Sequence, residues 1–199
     1  MDRWRVSVAA AVLAAGEGTR LDRAEPKPLV TYRGAPLVSW ALDAARESGL
    51  TPVLLVVGLD GDAVARAAGD DVRVVHAERW HDGIAHSLRA ALDALDEERS
   101  VDAVCIGLAD QPRVGAEAYT RLAAAHGHGA ALAVATYDGV RGNPVLLGRA
   151  VWPAAHRLEG DTGAKALMKD HAVVEVDCTG TGDPRDVDTL DDLRALEAE

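Results

Sequence analysis

The chain has 199 residues, 48% of them apolar, with no phenylalanine and a formal net charge of -11. That length suffices to bury about 70% of the unfolded surface in one core, built here from Ala, Val and Leu. The excess of acid argues against a polyanion-binding face, so no nucleic-acid partner is expected, although local charge can still hold one nucleotide.

The first apolar run, Val6 to Ala15, is short and rich in Val and Ala, and reads as a buried strand. Asp2, Arg3 and Arg5 precede it, and it is too short to cross a bilayer. A cleaved leader would sacrifice this strand, so the expected location is cytoplasmic, with no membrane partner. The strand opens into Gly16-Glu17-Gly18-Thr19-Arg20 and then Pro26-Lys27-Pro28. Glycines there bring backbone N–H groups to the strand end, and Arg20 and Lys27 add positive charge, a combination suited to a triphosphate.

Further along, Leu37 to Glu47 is a helix candidate and Val53 to Val57 a strand ending at Gly58. An alanine-rich segment from Ala63 to Ala68 leads to a short strand at Val72 to His76. Ile84, Leu88, Ala91, Leu92 and Leu95 recur at helical spacing within Gly83 to Leu95, and Val101 to Leu108 is again a compact strand. Helix Ala116 to Ala125 and strand Ala130 to Thr136 continue the rhythm. Asp138-Gly139 and Gly142-Asn143-Pro144 then punctuate the chain around Val145 to Leu147. Ala164 to Lys169 reads as a short helix and Val173 to Val176 as a strand. Thr189 is an N-cap for a terminal helix, with Asp191 and Asp192 in its first turn. The alternation predicts an α/β fold, βαβ units around a mainly parallel sheet.

In such sheets ligands bind beyond the carboxyl ends of the strands, where the loops after Ala15 and Leu108 converge. The second loop carries Asp110-Gln111-Pro112, and a carboxylate at that position suits Mg²⁺, which takes oxygen ligands and keeps several waters. Asp186 and Asp188, two apart in an extended segment, face one side and offer a second carboxylate. The opening loop is neither a G-x-x-x-x-G-K-[ST] phosphate loop nor a complete dinucleotide fingerprint, since Leu21 stands where a third glycine belongs. Cys105 and Cys178 lack neighbouring cysteines, which argues against zinc and for reduced thiols. His76, His81 and His86 have no metal-binding spacing, and His86 suits ligand contact and capping equally. Trp40 and Trp152 read as packing residues; Trp80 lies beside a loop.

Leu13-Ala14-Ala15-Gly16-Glu17-Gly18-Thr19-Arg20 followed by Lys27-Pro28-Leu29 resembles the signature of nucleotidyltransferases with a Rossmann-like, glycosyltransferase-A-type domain. Within that group, Gly83 with Ser87-Leu88, Asp110-Gln111-Pro112, Arg141-Gly142-Asn143-Pro144-Val145, Gly160 to Lys165 and Asp186-Val187-Asp188-Thr189 resemble the molybdenum cofactor cytidylyltransferases. The resemblance implies one nucleotidyltransferase domain over residues 1–199, folded as a three-layer αβα sandwich. It implies Mg²⁺-dependent transfer of CMP from CTP to the terminal phosphate of molybdopterin, releasing pyrophosphate. Leu13, Ala14, Ala15, Gly16, Gly18, Thr19, Arg20, Lys27, Gly83 and Ser87 would then hold the nucleotide. Arg20, Lys27 and Asp110 would be catalytic, Asp110 with Asp186 or Asp188 would hold the metal, and Asn143 and Lys165 the acceptor. A molybdoenzyme or its chaperone is the implied receiver of the product.

The chain departs from that family at Thr19, where Ser is common, at Asn143, where His is common, and at Glu78-Arg79, in place of an Asn-Pro pair. The first matches sugar-phosphate nucleotidyltransferases. A sugar-1-phosphate or other small-phosphate nucleotidylyltransferase is therefore the alternative enzyme, and a noncatalytic nucleotide-binding regulatory domain the alternative of another class.

Overall fold

The computed structural model describes residues 7–16 and 25–198. Among them, seven strands form one sheet: β1 (Val8–Ala14), then β4 (Val53–Val57), β5 (Arg73–His76), β6 (Ala103–Leu108), β7 (Leu132–Tyr137), β8 (Val140–Gly148) and β9 (Val174–Asp177), in the spatial order β5-β4-β1-β6-β8-β7-β9. A small hairpin, β2 (Thr31–Tyr32) with β3 (Ala35–Pro36), stands apart. β1 pairs parallel with β4 and β6, and β8 runs antiparallel to both its neighbours. The sheet is thus mainly parallel, and the order reverses between β1 and β6, the switch point where such folds open a crevice.

Every residue of β1 is buried because both faces of the sheet are covered. Val8, Ala10, Val12 and Ala14 face α1 (Leu37–Glu47), α2 (Gly61–Ala68) and α4 (Ala116–Gly127). Ala9, Ala11 and Leu13 face α3 (Ile84–Asp96) and α5 (Trp152–Ala155). Small residues at the sheet centre let these helices pack closely without any Phe. The expected three-layer αβα sandwich is the observed one. A third apolar cluster joins Val30, Tyr32 and Leu37 to Val187 and to Leu193 and Leu196 of α6 (Leu190–Glu197). Thr189 caps α6 as its sequence predicts: its side chain accepts from Asp192 N, and Asp192 accepts the Thr189 N–H at 2.7 Å.

Three elements differ from their sequence reading. The hairpin at Thr31–Pro36 has strands too short to show periodicity, and it turns on Arg33 and Gly34, both at positive φ (47° and 85°). Ala164–Lys169 is a 3₁₀ rather than an α segment. β8 runs straight through Gly142-Asn143-Pro144. Val145 pairs with Val134 and Arg141 with Thr136, so those three residues bulge opposite Ala135. Pro has no N–H for the ladder, and a bulge accommodates it while re-aiming its neighbours. Both cysteines are buried free thiols, and burial pushes Cys178 up to about 11. No helix among the described residues is long and apolar enough to cross a membrane.

Arg149 closes the C-terminal end of α3. Its guanidinium donates to Leu95 O at 2.9 Å, Glu98 O at 2.7 Å and Val101 O at 2.5 Å, and lies 4.3 Å over the Trp152 ring. Cationic donors on terminal carbonyls are among the stronger hydrogen bonds of a fold. Arg149→Ala is expected to lower stability by about 2–3 kcal/mol. Lys, lacking the planar fork, should restore only part of it. Urea unfolding checks this: the midpoint falls while the m-value holds.

Candidate active site

Three loops meet at the β1/β6 switch point. The first leaves β1 through Ala15 and Gly16; Gly18, Thr19 and Arg20 lie outside the described residues. The chain returns at Lys27, which opens a 3₁₀ turn (Lys27–Leu29) between Pro26 and Pro28. The second leaves β6, with Ala109 N donating to Leu13 O at 3.0 Å, and presents Asp110. The third is Asp186 to Asp188, anchored where Val187 N donates to Asp110 O at 2.8 Å. Val187 itself is fully buried beside Val30 and Leu37 in the third cluster. One small apolar cluster therefore sets both Lys27 and Asp188 beside Asp110.

The Lys27 ammonium donates at 2.6 Å to Asp110 Oδ2 and at 2.6 Å to Asp188 Oδ1. Burial disfavours its charge, but Asp110 and Asp188 outweigh burial and hold its pKa above the ordinary lysine value. The other oxygen, Asp110 Oδ1, is buried with no hydrogen-bond partner among the described residues. A buried, unpaired carboxylate oxygen beside a second carboxylate is a donor set for a hard cation. Asp110 and Asp188 thus fit Mg²⁺ or Mn²⁺.

Asp186 faces elsewhere. Its Oδ1 accepts from Gln111 Nε2 at 2.7 Å, and the same amide nitrogen reaches Pro184 O at 2.7 Å. Burial, then the charge of Asp110, raises the Asp186 pKa, against the Gln111 hydrogen bond. Asn143, aimed by the β8 bulge, donates through Nδ2 to Gln111 Oε1 at 3.0 Å. Asn143 thereby closes a chain from β8 through Gln111 to Asp186.

A cavity of about 580 Å³ opens over these loops, lined by Leu13, Ala14, Ala15, Gly16, Lys27, Gly83, Ser87, Asp110 and Asp188 from the expected set. Asp186, Asn143 and the exposed Lys165 are not among its described lining residues. Trp80, His81, Ile84 and Asp161 also line it, without having been singled out as site residues from the sequence. Two close backbone approaches seat them. A Cβ at Gly58 would come within 2.6 Å of the Trp80 ring and 2.7 Å of Ala15 O, so Trp80 occupies the missing side chain's space. Gly83, at φ +109, touches Gly160 so closely that a Cβ would lie 2.2 Å from its carbonyl carbon. That contact carries Asp161 to the rim. The glycines are visible in the sequence; their partners are not. Away from the cavity, Asp93, Asp96 and His156 come within 4.8 Å of one another; the His156 ring lies 3.5 Å from Asp93 and 3.6 Å from Asp96, and Arg149 pairs with Asp96 at 3.3 Å.

A family model for the MobA-like NTP transferase domain matches residues 10–176. Nicotine blue oxidoreductase of Paenarthrobacter nicotinovorans is 32% identical over 200 residues, 95% of this chain and 96% of that protein. The crystal structure of Rv0371c from Mycobacterium tuberculosis superposes with a TM-score of 0.85 at 33% identity, covering 98% of this chain and 99% of that one. A second structure of Rv0371c, in complex with manganese, gives 0.82 at 31% identity, over 98% and 100% of the two chains. The bifunctional protein GlmU of Trichlorobacter lovleyi is 38% identical over 130 residues, 64% of this chain but only 28% of that protein.

The Asn143–Gln111–Asp186 chain predicts a stability effect. Asn143→Ala leaves the Oε1 of nearly inaccessible Gln111 unpaired, at a cost of about 1–2 kcal/mol. Asn143→Asp should cost more, because it sets a carboxylate against that oxygen. Denaturant melts of both variants measure the order.

Proposed function

The chain belongs to the MobA-like NTP transferase family, an enzyme family of nucleotidyl transfer, and from that premise we propose the reaction at this site. It transfers a nucleoside monophosphate from an NTP to a small phosphorylated acceptor, such as a sugar 1-phosphate, and releases pyrophosphate. The observation that carries this reading is the buried, unpaired Asp110 Oδ1, next to Lys27 and Asp188 at the switch point. The resemblance to a portion of GlmU supports the small-phosphate acceptor. CTP and molybdopterin are the finer pairing implied by the motif resemblance, and they belong in the same acceptor panel.

No covalent nucleophile is needed, because the acceptor phosphate attacks the α-phosphorus directly. The protein's work is positioning and charge neutralisation. The backbone at Ala15 and Gly16 approaches the phosphates. Lys27 balances charge as pyrophosphate leaves, and Trp80, Gly83 and Ser87 form the wall opposite, where the base fits. A cation held by Asp110 and Asp188, when bound, supplies Lewis-acid charge on the phosphate oxygens. The manganese complex of Rv0371c supports a divalent ion in this family.

One specific observation favours a second reading. The full-length relative from P. nicotinovorans is named an oxidoreductase. A single experiment separates the two. Pyrophosphate release is followed with each of the four NTPs, Mg²⁺ or Mn²⁺, and a panel of sugar 1-phosphates and molybdopterin. In parallel, nicotine blue is offered with a reduced nicotinamide dinucleotide. The expected result is acceptor-dependent pyrophosphate release, lowered at least about 100-fold in Asp110→Asn without loss of fold. Dye reduction with no pyrophosphate from any pair would overturn it.

A further inference from the structure

In the free protein the Lys27 ammonium does what a divalent ion would do there, with half the charge. It bridges Asp110 Oδ2 and Asp188 Oδ1, both at 2.6 Å, from segments 83 and 161 residues away in sequence. Two carboxylates held that close repel one another unless a cation stands between them. Among the described residues lining the cavity, Lys27 is the one Lys or Arg.

That position conflicts with the role of Lys27 in phosphate transfer. An ammonium docked on two carboxylates is screened from the triphosphate, and a divalent ion held by Asp110 and Asp188 would meet it as a like charge. Pro26 and Pro28 fix the backbone on either side, while the unbranched four-carbon side chain can redirect its tip without moving them.

We infer that Lys27 is an exchangeable internal cation: it clasps Asp110 and Asp188 in the free enzyme, yields them to a divalent ion, and then turns to the nucleotide phosphates. Ion and nucleotide therefore enter cooperatively, each raising the affinity of the other by one common factor. The inference rests on the phosphate-transfer reading of the site. It runs against the simpler expectation that removing a site residue weakens everything the site binds.

The test is Mn²⁺ binding to nucleotide-free protein, read from the electron paramagnetic resonance of the unbound ion. Lys27→Met should bind Mn²⁺ about tenfold more tightly than the unaltered protein, and ATP or CTP should then add less to that affinity. Lys27→Arg, which keeps the charge, should stay near the unaltered value, and Asp110→Asn placed on Lys27→Met should remove the gain. Circular dichroism checks that each variant is folded. A folded Lys27→Met that binds Mn²⁺ no more tightly overturns the exchange. The unaltered protein offers an independent measurement: the ¹⁵N-lysine ammonium resonance of Lys27 should shift as Mg²⁺ alone is added, and a stationary resonance overturns the exchange as well. Pyrophosphate release with no gain in Mn²⁺ affinity sinks the exchange and leaves the reaction standing. A gain in affinity with no pyrophosphate from any NTP and acceptor supports the exchange and sinks the reaction.

Discussion

The site depends on one backbone hydrogen bond, from Val187 N to Asp110 O. It ties the segment before the last helix to the loop after β6, and the buried side chain of Val187 keeps that segment from sliding. Val30, directly after the turn that carries Lys27, packs in the same cluster. Carboxylates far apart in sequence thus converge on one ammonium through ordinary apolar packing. The charges did not have to find one another; the hydrophobic residues beside them did.

The arrangement also resolves an electrostatic problem posed by the composition. A chain at -11 has to host a substrate class that is itself strongly anionic. Its answer is local: the described walls of the cavity add carboxylates rather than spreading cations, with Asp110, Asp161 and Asp188 against Lys27. Under the proposed reaction, these described carboxylates favour a triphosphate whose charge is already partly neutralised by metal.

Much of this fold was legible because its strands are short apolar runs and its main helices carry 3.6-residue spacing. Lys27 and Asp110 were legible for a related reason: each stands directly beyond a strand or a proline-marked turn, where backbone geometry leaves few directions for a side chain. Asn143 was not, because its aim is set by a three-residue bulge that a run of Gly-Asn-Pro does not distinguish from a turn. Asp186 and Asp188 share a spacing that reads as one face, yet Gln111 claims the first and Lys27 the second. Trp80, His81 and Asp161 depend on glycines whose contacts lie far off in sequence, Gly83 against Gly160 above all.

The sequence separation of the clasp orders events in the life of the chain. Lys27 and Asp188 are 161 residues apart, and the last strand of the main sheet ends at Asp177. During synthesis from the N-terminus, every strand of the main sheet has been made before the segment that carries Asp188. Before that segment arrives, Lys27 and Asp110 can face each other, but the third apolar cluster lacks Val187, Leu193 and Leu196. A nascent chain can thus have its whole main sheet synthesised before the second carboxylate that clasps Lys27 exists.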